Sequence, residues 1–320
     1  MSEVTITVVI PVYNMEAYID KCMATLLNQF YQEYEILLVN DGSTDNSTQI
    51  CEEYAQKYSD KVRCVHKKNG GLSSARNYGI DHARGQYVVF PDPDDWVEPD
   101  YLERLVELRN AYPNSLVCTG HIVEYENKAS SQIGKKTIQV FSQQKGLLRL
   151  IQAPAIGGFA WNKLYDLRII QDNRLRFLDD VGTKEDLDFA ARYAKYVDEI
   201  VYAPNYATYH YFQRAGSATW SGYSQKRFDG LRVYEKMIAA NPDDSELIRE
   251  AKSCICSVSM NLIAMYLKDG IENPYQWEIL ACNIRNNWKN VFFSSSCSLK
   301  RKLAALAARF NPHFVKFFYR

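Results

Sequence analysis

Between Val4 and Phe90 the chain alternates short apolar runs with longer segments whose apolar positions recur every three or four residues. Val4 to Val12 predicts a buried strand. Ile19, Cys22, Met23, Leu26, Leu27 and Phe30 then step by threes and fours, which predicts one apolar face of a helix. Glu35 to Asn40 predicts a second strand, and the capping-rich turn from Asp41 to Ser47 opens a helix carrying Ile50, Tyr54 and Tyr58. A third strand is expected over Val62 to His66. After the Lys67-Lys68-Asn69-Gly70-Gly71 loop, a helix runs from about Ser73 to Ala83, and Tyr87 to Phe90 predicts a fourth strand. The fold class read from this alternation is α/β, a mostly parallel sheet covered by helices.

The middle, from about Leu102 to Tyr223, mixes a helix, strand candidates such as Leu116 to Tyr125, and the acidic helix start Glu185-Asp186. Such residues suit the positive end of a helix dipole. From Ser224 onward the pattern is purely helical, with Ile255, Val258, Leu262, Met265 and Tyr266 in one stripe. Two regions are therefore expected, residues 1–223 and residues 224–320.

Each early strand is followed by a polar loop and a helix, so the loops gather at the carboxyl edge of one sheet, where open α/β folds bind ligands. Asp41, Asn69, Arg76 and Asp92 are expected to converge there. Pro11-Val12-Tyr13-Asn14 stands where a dinucleotide-binding fold would carry GxGxxG, and no phosphate loop of the Walker type is present. The run Phe90-Pro91-Asp92-Pro93-Asp94-Asp95-Trp96 sets three carboxylates straight after an apolar strand. Carboxylates this close repel one another unless a divalent cation sits among them, and Mg²⁺ or Mn²⁺ suits hard oxygen ligands that also hold phosphates. The same residues also suit an acidic turn in which Asp94 or Asp95 caps a helix starting near Pro99.

With 320 residues and 47% hydrophobic content the chain can bury a large core. Its 38 basic and 38 acidic residues cancel, which gives no global field for nucleic acid. The charge is nevertheless uneven: no acidic residue follows Glu278, while Arg285, Lys289, Lys300, Arg301, Lys302, Arg309, Lys316 and Arg320 do. The eight cysteines lack CxxC pairs and read as reduced core residues. No basic leader and no bilayer-spanning apolar stretch is evident, so the expected location is cytoplasmic, with membrane contact only from the surface.

Six fragments, in order, carry a resemblance. Val9-Ile10-Pro11-Val12-Tyr13-Asn14, Val39-Asn40-Asp41-Gly42-Ser43-Thr44-Asp45, Asn69-Gly70-Gly71-Leu72, Ala75-Arg76-Asn77-Tyr78-Gly79, Asp92-Pro93-Asp94-Asp95 and Glu185-Asp186 resemble the family 2 glycosyltransferases with a GT-A fold, across roughly Thr5 to Trp220. The resemblance implies an inverting, metal-dependent transferase that moves a sugar from a UDP-sugar to a hydroxyl of a glycan acceptor, lipid-linked or polymeric, in bacterial capsule, exopolysaccharide or cell-wall polymer synthesis. It implies that Asp41 meets the uracil ring while the backbone around Pro11 and Tyr13 packs on the base. Asn69 and Arg76 would hold the nucleotide diphosphate, Asp92 the ribose or sugar, and Asp94 a Mn²⁺ or Mg²⁺ ion, with Asp95 a cap or supporting partner. Asp186 would be the general base. His210 and Arg214, in a late flexible loop over Tyr209 to Ser217, would approach the pyrophosphate, and Arg176-Phe177 would lie on the acceptor side.

Plainer roles stand beside these. Asp41-Gly42 nucleates turns whatever the ligand; Arg76 is also a natural ion-pair partner for the acidic cluster; Asp186 is also an ordinary acid at a helix start; and a histidine among aromatics is commonly a packed residue. Two departures from the family pattern are Pro93, which stiffens the acidic loop and removes an N–H donor, and Lys184 in place of a small residue. The basic Cys297 to Phe310 stretch, with Leu303, Leu306 and Phe310 on one side, fits either an anionic membrane surface at the inner face of the cell membrane or a helix packed on protein. A reading from another class is a non-catalytic nucleotide-sugar-binding or scaffold subunit of a polysaccharide assembly complex, against which the retained Asp92, Asp94, Arg76 and Asp186 speak.

Overall fold

Seven consecutive buried residues, Ile6–Val12, form β1, and seven more, Tyr34–Asn40, form β2. Strands without an exposed side occur where helices cover both faces of a parallel sheet. The computed structural model describes residues 5–126, 128–133, 137–152, 156–214 and 222–319. Among them the further strands are β3 (Val62–His66), β4 (Tyr87–Val89), β5 (Trp96–Val97), β6 (Ser115–Tyr125), β7 (Ser131–Ile133), β8 (Gln139–Ser142), β9 (Lys163–Asp166) and β10 (Glu199–Gln213). The helices in the same stretch are α1 (Ile19–Leu27), α2 (Ser47–Lys57), α3 (Leu72–His82), α4 (Tyr101–Ala111), α5 (Gln143–Ile151), α6 (Leu167–Asp172) and α7 (Glu185–Tyr193).

The sheet runs in the order β3-β2-β1-β4-β9-β6-β10-β5, with β7 on β6 and β8 on β10. The first four strands are mutually parallel, while β9 lies antiparallel to both β4 and β6. The chain leaves β1 outward through β2 and β3, then returns to place β4 on the other flank of β1. The loops after β1 and β4 therefore part at the carboxyl edge, which is the crevice such folds use for ligands. The pairing of β6 with β10 shifts register between Ala203 and Tyr209. Irregularities of this kind re-aim side chains, and this one sets the phenol of Tyr209 beneath the loop that follows β4.

Behind the β4 edge, Phe90, Tyr165, Phe177 and Phe189 form a buried aromatic cluster, with Phe177 stacked on Phe189 at 4.0 Å. Asn77 on α3 clamps the Phe177 backbone from 100 residues away: its amide donates to the Phe177 carbonyl at 2.8 Å and its side-chain carbonyl accepts from the Phe177 N–H at 2.8 Å.

Two readings of the pattern are corrected. Phe30 is 65% exposed rather than part of the buried helix face, because α1 ends at Leu27 and the Phe30 N–H turns to the carbonyl of Pro99 at 2.8 Å. Asp94 and Asp95 cap no helix: β5 intervenes, and α4 starts at Tyr101 with Asp100 in the cap position.

By compactness the chain divides into Met1–Asp179 with Asp186–Arg214, and Asp180–Glu185 with Ala215–Arg320. The expected division after residue 223 falls nine residues beyond Arg214, and the short segment Asp180–Glu185 ahead of Asp186 groups with the second unit. That unit holds α8 (Gln225–Asp229), α9 (Leu231–Ala240), α10 (Ser245–Asp269), α11 (Pro274–Phe293) and α12 (Leu299–Ala308). Ile255, Leu262 and Tyr266 of the α10 stripe are buried, Val258 and Met265 half-buried. No helix of the described residues is long and apolar enough to cross a membrane.

Candidate active site

The loops after β1 and β2 are laced together by side chains acting as local caps. Asn14 accepts from the Thr44 N–H at 2.8 Å, Ser47 accepts from the Met15 N–H at 2.7 Å, and Glu16 accepts from the Asn46 N–H at 2.9 Å. Pro11 is buried in β1, whereas Tyr13 just beyond it is 43% exposed. Asp41, at the tip of β2, is 2% exposed. Its Oδ1 accepts from Lys67 Nζ at 2.5 Å and the Gly70 N–H at 3.0 Å, and its Oδ2 accepts from the Gly71 N–H at 2.8 Å. The carboxylate thus pins the Asn69-Gly70-Gly71 loop, leaving one Oδ2 lone pair beyond these contacts. Gly42 follows at φ +69, and a Cβ there would lie 2.9 Å from the Asn69 nitrogen, so this turn requires glycine. Asn69 itself is exposed.

After β4 the chain delivers Asp92, Asp94 and Asp95 to three different tasks. Asp95 is 2% exposed and both its oxygens are used, by the Tyr209 hydroxyl at 2.6 Å and the Phe212 N–H at 2.8 Å. Burial, then the adjoining Asp92 and Asp94, push its carboxyl well above the usual range. The same Tyr209 oxygen accepts from the Asp92 N–H at 3.0 Å, so one phenol fixes the acidic loop at two points. Asp92 receives Arg76 at 2.9 Å. Its carboxyl is lifted to about 6 by burial, against the pull of Arg76 and with the help of Asp94 and Asp186. Asp94 pairs with Arg214 Nε at 3.0 Å, and the Arg214 guanidinium lies 4.4 Å from the centre of the Tyr18 ring.

Asp186 stands in the first turn of α7, where its Oδ1 accepts the Leu187 N–H at 2.8 Å. Its charge reaches both Asp92 and the fully buried Lys163 on β9. Lys163 donates to the carbonyls of Gly157 at 2.9 Å and Phe159 at 2.7 Å and to Asn162 Oδ1 at 2.8 Å, knotting the loop before β9. A Cβ on Gly158 of that loop would lie 2.5 Å from Leu187 Cβ, so the loop is pressed against the turn that carries Asp186. Burial holds the Lys163 ammonium below the usual lysine range, opposed by Cys118 and Asp186. Lys67, Lys163 and Tyr209 were not singled out from the sequence. The signal available for Lys163 was a cation beside Asn162 inside the otherwise apolar stretch Phe159 to Tyr165.

Beside Lys163 lies His121 on β6, 2% exposed, its ring 4.9 Å from that of Trp161. Burial and then the Lys163 cation lower it to about 4. An unfolded histidine binds a proton below about 6.5, while this one stays neutral down to about 4, so folding stability falls as pH drops through that window. His121→Phe is expected to remove about 2–3 kcal/mol of the stability lost between pH 7 and pH 4.5, as read from urea unfolding of both proteins at the two pH values.

The structure therefore brings Arg76, Asp92, Asp94, Asp186 and Arg214 into one electrostatic neighbourhood. Arg76 enters it as a partner of Asp92, 2% exposed and with its guanidinium 5.2 Å from the centre of the Phe177 ring, rather than as a group open to a phosphate. His210 does not enter it. Neighbouring strand residues point to opposite faces: Tyr209 faces the acidic loop, while His210 stacks on Trp96 and meets Glu98 and Glu124, each at 2.8 Å. Tyr209 to Gln213 belong to β10 instead of a loop, and Ala215, Gly216, Ser217 and Trp220 lie outside the described residues. Phe177 is core, and Arg176 pairs with Asp81 at 2.7 Å.

Lys184 adopts φ +70, a left-handed conformation that costs a side chain about 1–2 kcal/mol. Lys184→Gly is expected to stabilise the chain by about 0.5–1 kcal/mol in denaturant unfolding, the strain relieved outweighing the added freedom of the unfolded state.

Parallel strands that converge on an acidic loop at the switch point, with α7 presenting a further carboxylate to it, define a GT-A fold. The solved structure of S. aureus TarS 1–349 in complex with UDP-GlcNAc shares it, with a TM-score of 0.69 at 19% identity over 98% of this chain and 90% of that one. A mannosyltransferase, PcManGT from Pyrobaculum calidifontis, solved with GDP-Man and Mn²⁺, aligns with a TM-score of 0.59 at 17% identity over 95% of this chain and 85% of that one. The family model described as glycosyl transferase family 2 matches residues 7–173. EpsH of Bacillus subtilis is 32% identical over 252 residues, which cover 77% of this chain and 72% of EpsH. The chain belongs to glycosyltransferase family 2. Asp186 and Arg214 lie beyond the stretch the family model matches.

Proposed function

We propose that the chain transfers a hexosyl or N-acetylhexosaminyl unit, with inversion, from a UDP-sugar to a hydroxyl of a lipid-linked or polymeric glycan in bacterial surface polysaccharide synthesis, working peripherally at the inner face of the cell membrane. The observation that carries this reading is the acidic loop at the carboxyl edge of the sheet, where Arg76 holds Asp92 at 2.9 Å and Arg214 holds Asp94 at 3.0 Å. Asp41 would take the uracil imide N–H on its remaining Oδ2 lone pair, with Pro11, Tyr13 and the Asn69 loop around the base. TarS, solved with UDP-GlcNAc and with UDP, supports a uridine donor by analogy of fold.

The donor set at the acidic loop suits a Mn²⁺ or Mg²⁺ ion. Among the described residues no group of three or more His, Cys, Asp or Glu could hold a metal alone, and Asp95 is fully engaged. Asp94, with Asp92 beside it, would hold the ion, a one- or two-carboxylate set of the kind that shares a cation with substrate phosphates. Bound there, the ion would offset the charge that develops on the departing diphosphate. Arg76 holds Asp92 in place, and Arg214 supplies a guanidinium at the same edge.

Asp186 removes the proton of the acceptor hydroxyl as that oxygen bonds to the anomeric carbon, and the UDP oxygen leaves with the electrons of the broken bond. One base and one leaving-group site suffice for a single displacement. A thermal-shift panel of UDP-, GDP-, ADP- and TDP-sugars with MnCl₂ tests the donor: UDP-sugars should raise the unfolding temperature most, since a ligand bound only by the folded form stabilises it. Equal or greater stabilisation by another base would overturn the uridine assignment.

A further inference from the structure

Helix α12 is amphipathic in an unusual sense: it buries Ala304, Ala305 and Ala308, leaves Leu306 half-buried and turns Leu299 and Leu303 outward. Ala304, Ala305 and Ala308 are 0% exposed, on the side that packs against α10 and α11. Leu299 and Leu303, spaced four apart, are 71% and 46% exposed, and Phe310, seven residues further along the same line, is 72% exposed. The chain then breaks at Asn311-Pro312 into a short 3-10 turn. That turn buries Val315 and leaves Phe314 and Phe317 exposed, while Phe293 at the end of α11 is 72% exposed. Exposed large apolar residues are ordinary singly but informative in a cluster.

The cations of this region flank the cluster. Lys300 and Lys302 lie on either side of the Leu299–Leu303 line, the Arg309 guanidinium lies 4.2 Å from the centre of the Phe310 ring and 4.3 Å from that of Trp288, and Lys316 sits 5.3 Å from the centre of Phe317. No carboxylate side chain follows Glu278 in the sequence. Long cationic side chains bordering leucine and phenylalanine, with a tryptophan at the edge, are the arrangement that lets an apolar face enter a headgroup layer while the charges stay with anionic headgroups. A second copy of the same face would bring cation against cation.

We propose that Phe293, Leu299, Leu303, Phe310, Phe314 and Phe317 form a docking face that inserts into the interfacial layer of an anionic membrane. This names the surface for the membrane placement proposed above and rests on it. The face requires both apolar insertion and headgroup charge, so each can be removed separately.

The test is flotation of the full chain with vesicles of phosphatidylcholine alone and of phosphatidylcholine with 30% phosphatidylglycerol, an amount chosen to be about that of an anionic leaflet. Co-flotation is expected with the phosphatidylglycerol vesicles and at least tenfold less with phosphatidylcholine. L299S/L303S/F310S should lose the binding at least tenfold, and K300Q/K302Q/K316Q should lose the preference for phosphatidylglycerol. Mn²⁺-dependent UDP release from a UDP-sugar in solution should be unchanged in both variants. That separates failure of this face, with release intact, from failure of the transferase reading, with release absent in the parent chain. Two results overturn the proposal: no flotation with either vesicle, or a dimer in solution that L299S/L303S/F310S dissociates.

Discussion

Replacing Asp186 by asparagine is expected to lower kcat for UDP release by about 10²–10⁴-fold while leaving the donor KM within about threefold, the signature of a lost general base. The Asp186 side chain holds the first turn of α7 through the Leu187 N–H at 2.8 Å, a bond that an asparagine carbonyl can also accept. The turn, the knotted loop behind it and its charge-independent packing therefore survive the substitution. What asparagine cannot do is take up the acceptor proton. Asp186 is also close enough to the acidic loop for its charge to help lift the Asp92 carboxyl. A variant within threefold of the parent in UDP release, with glycan or water as acceptor, would remove Asp186 from the chemistry and return it to the role of a helix-start acid.

Asp94→Ala is expected to have a comparable effect by a different route. It should abolish stimulation by Mn²⁺ and reduce UDP release by about 10³-fold, since the stabilisation of a leaving diphosphate by a held cation is worth several kcal/mol. The same change strips Arg214, whose side chain is 15% exposed, of its carboxylate partner at 3.0 Å. Removing one member of a largely buried pair is itself destabilising. Asp94→Asn keeps a hydrogen-bond acceptor for Arg214 and should unfold closer to the parent, yet show the same loss of Mn²⁺ stimulation. If Mn²⁺ still stimulates Asp94→Asn as it does the parent, the ion binds elsewhere.

The early half of the fold was legible because its signals are local. Strands such as Tyr34–Asn40 end where the apolar run ends, and the capping residues of the second loop announce α2. That the loops carrying Asp41 and Asn69 leave the same edge of the sheet as the acidic loop follows from the parallel strands, which alternating strand and helix signals nearly dictate. What was missed depends on contacts between distant segments. That Tyr209 holds both Asp92 and Asp95 involves separations of more than 100 residues and leaves no periodic trace.

His210 was a different kind of miss. The alternation of β10 could have shown that Tyr209 and His210 cannot both face the acidic loop, but Tyr209 to Ser217 reads as a loop when motifs are weighed before periodicity. In α12 the leucine stripe was visible, yet a stripe does not say which side meets the core. The alanines do, because small side chains let helices approach closely and leave the larger residues outside.

Crystals grown with UDP and MnCl₂ and measured at the manganese absorption edge test the central claim most directly. The account predicts one anomalous peak within about 2.0–2.3 Å of an Asp94 carboxylate oxygen, with diphosphate oxygens completing its shell and the Asp186 carboxylate facing the space where the sugar joins UDP. A peak bound away from Asp94, or UDP seated on a surface that Asp186 does not face, would contradict it.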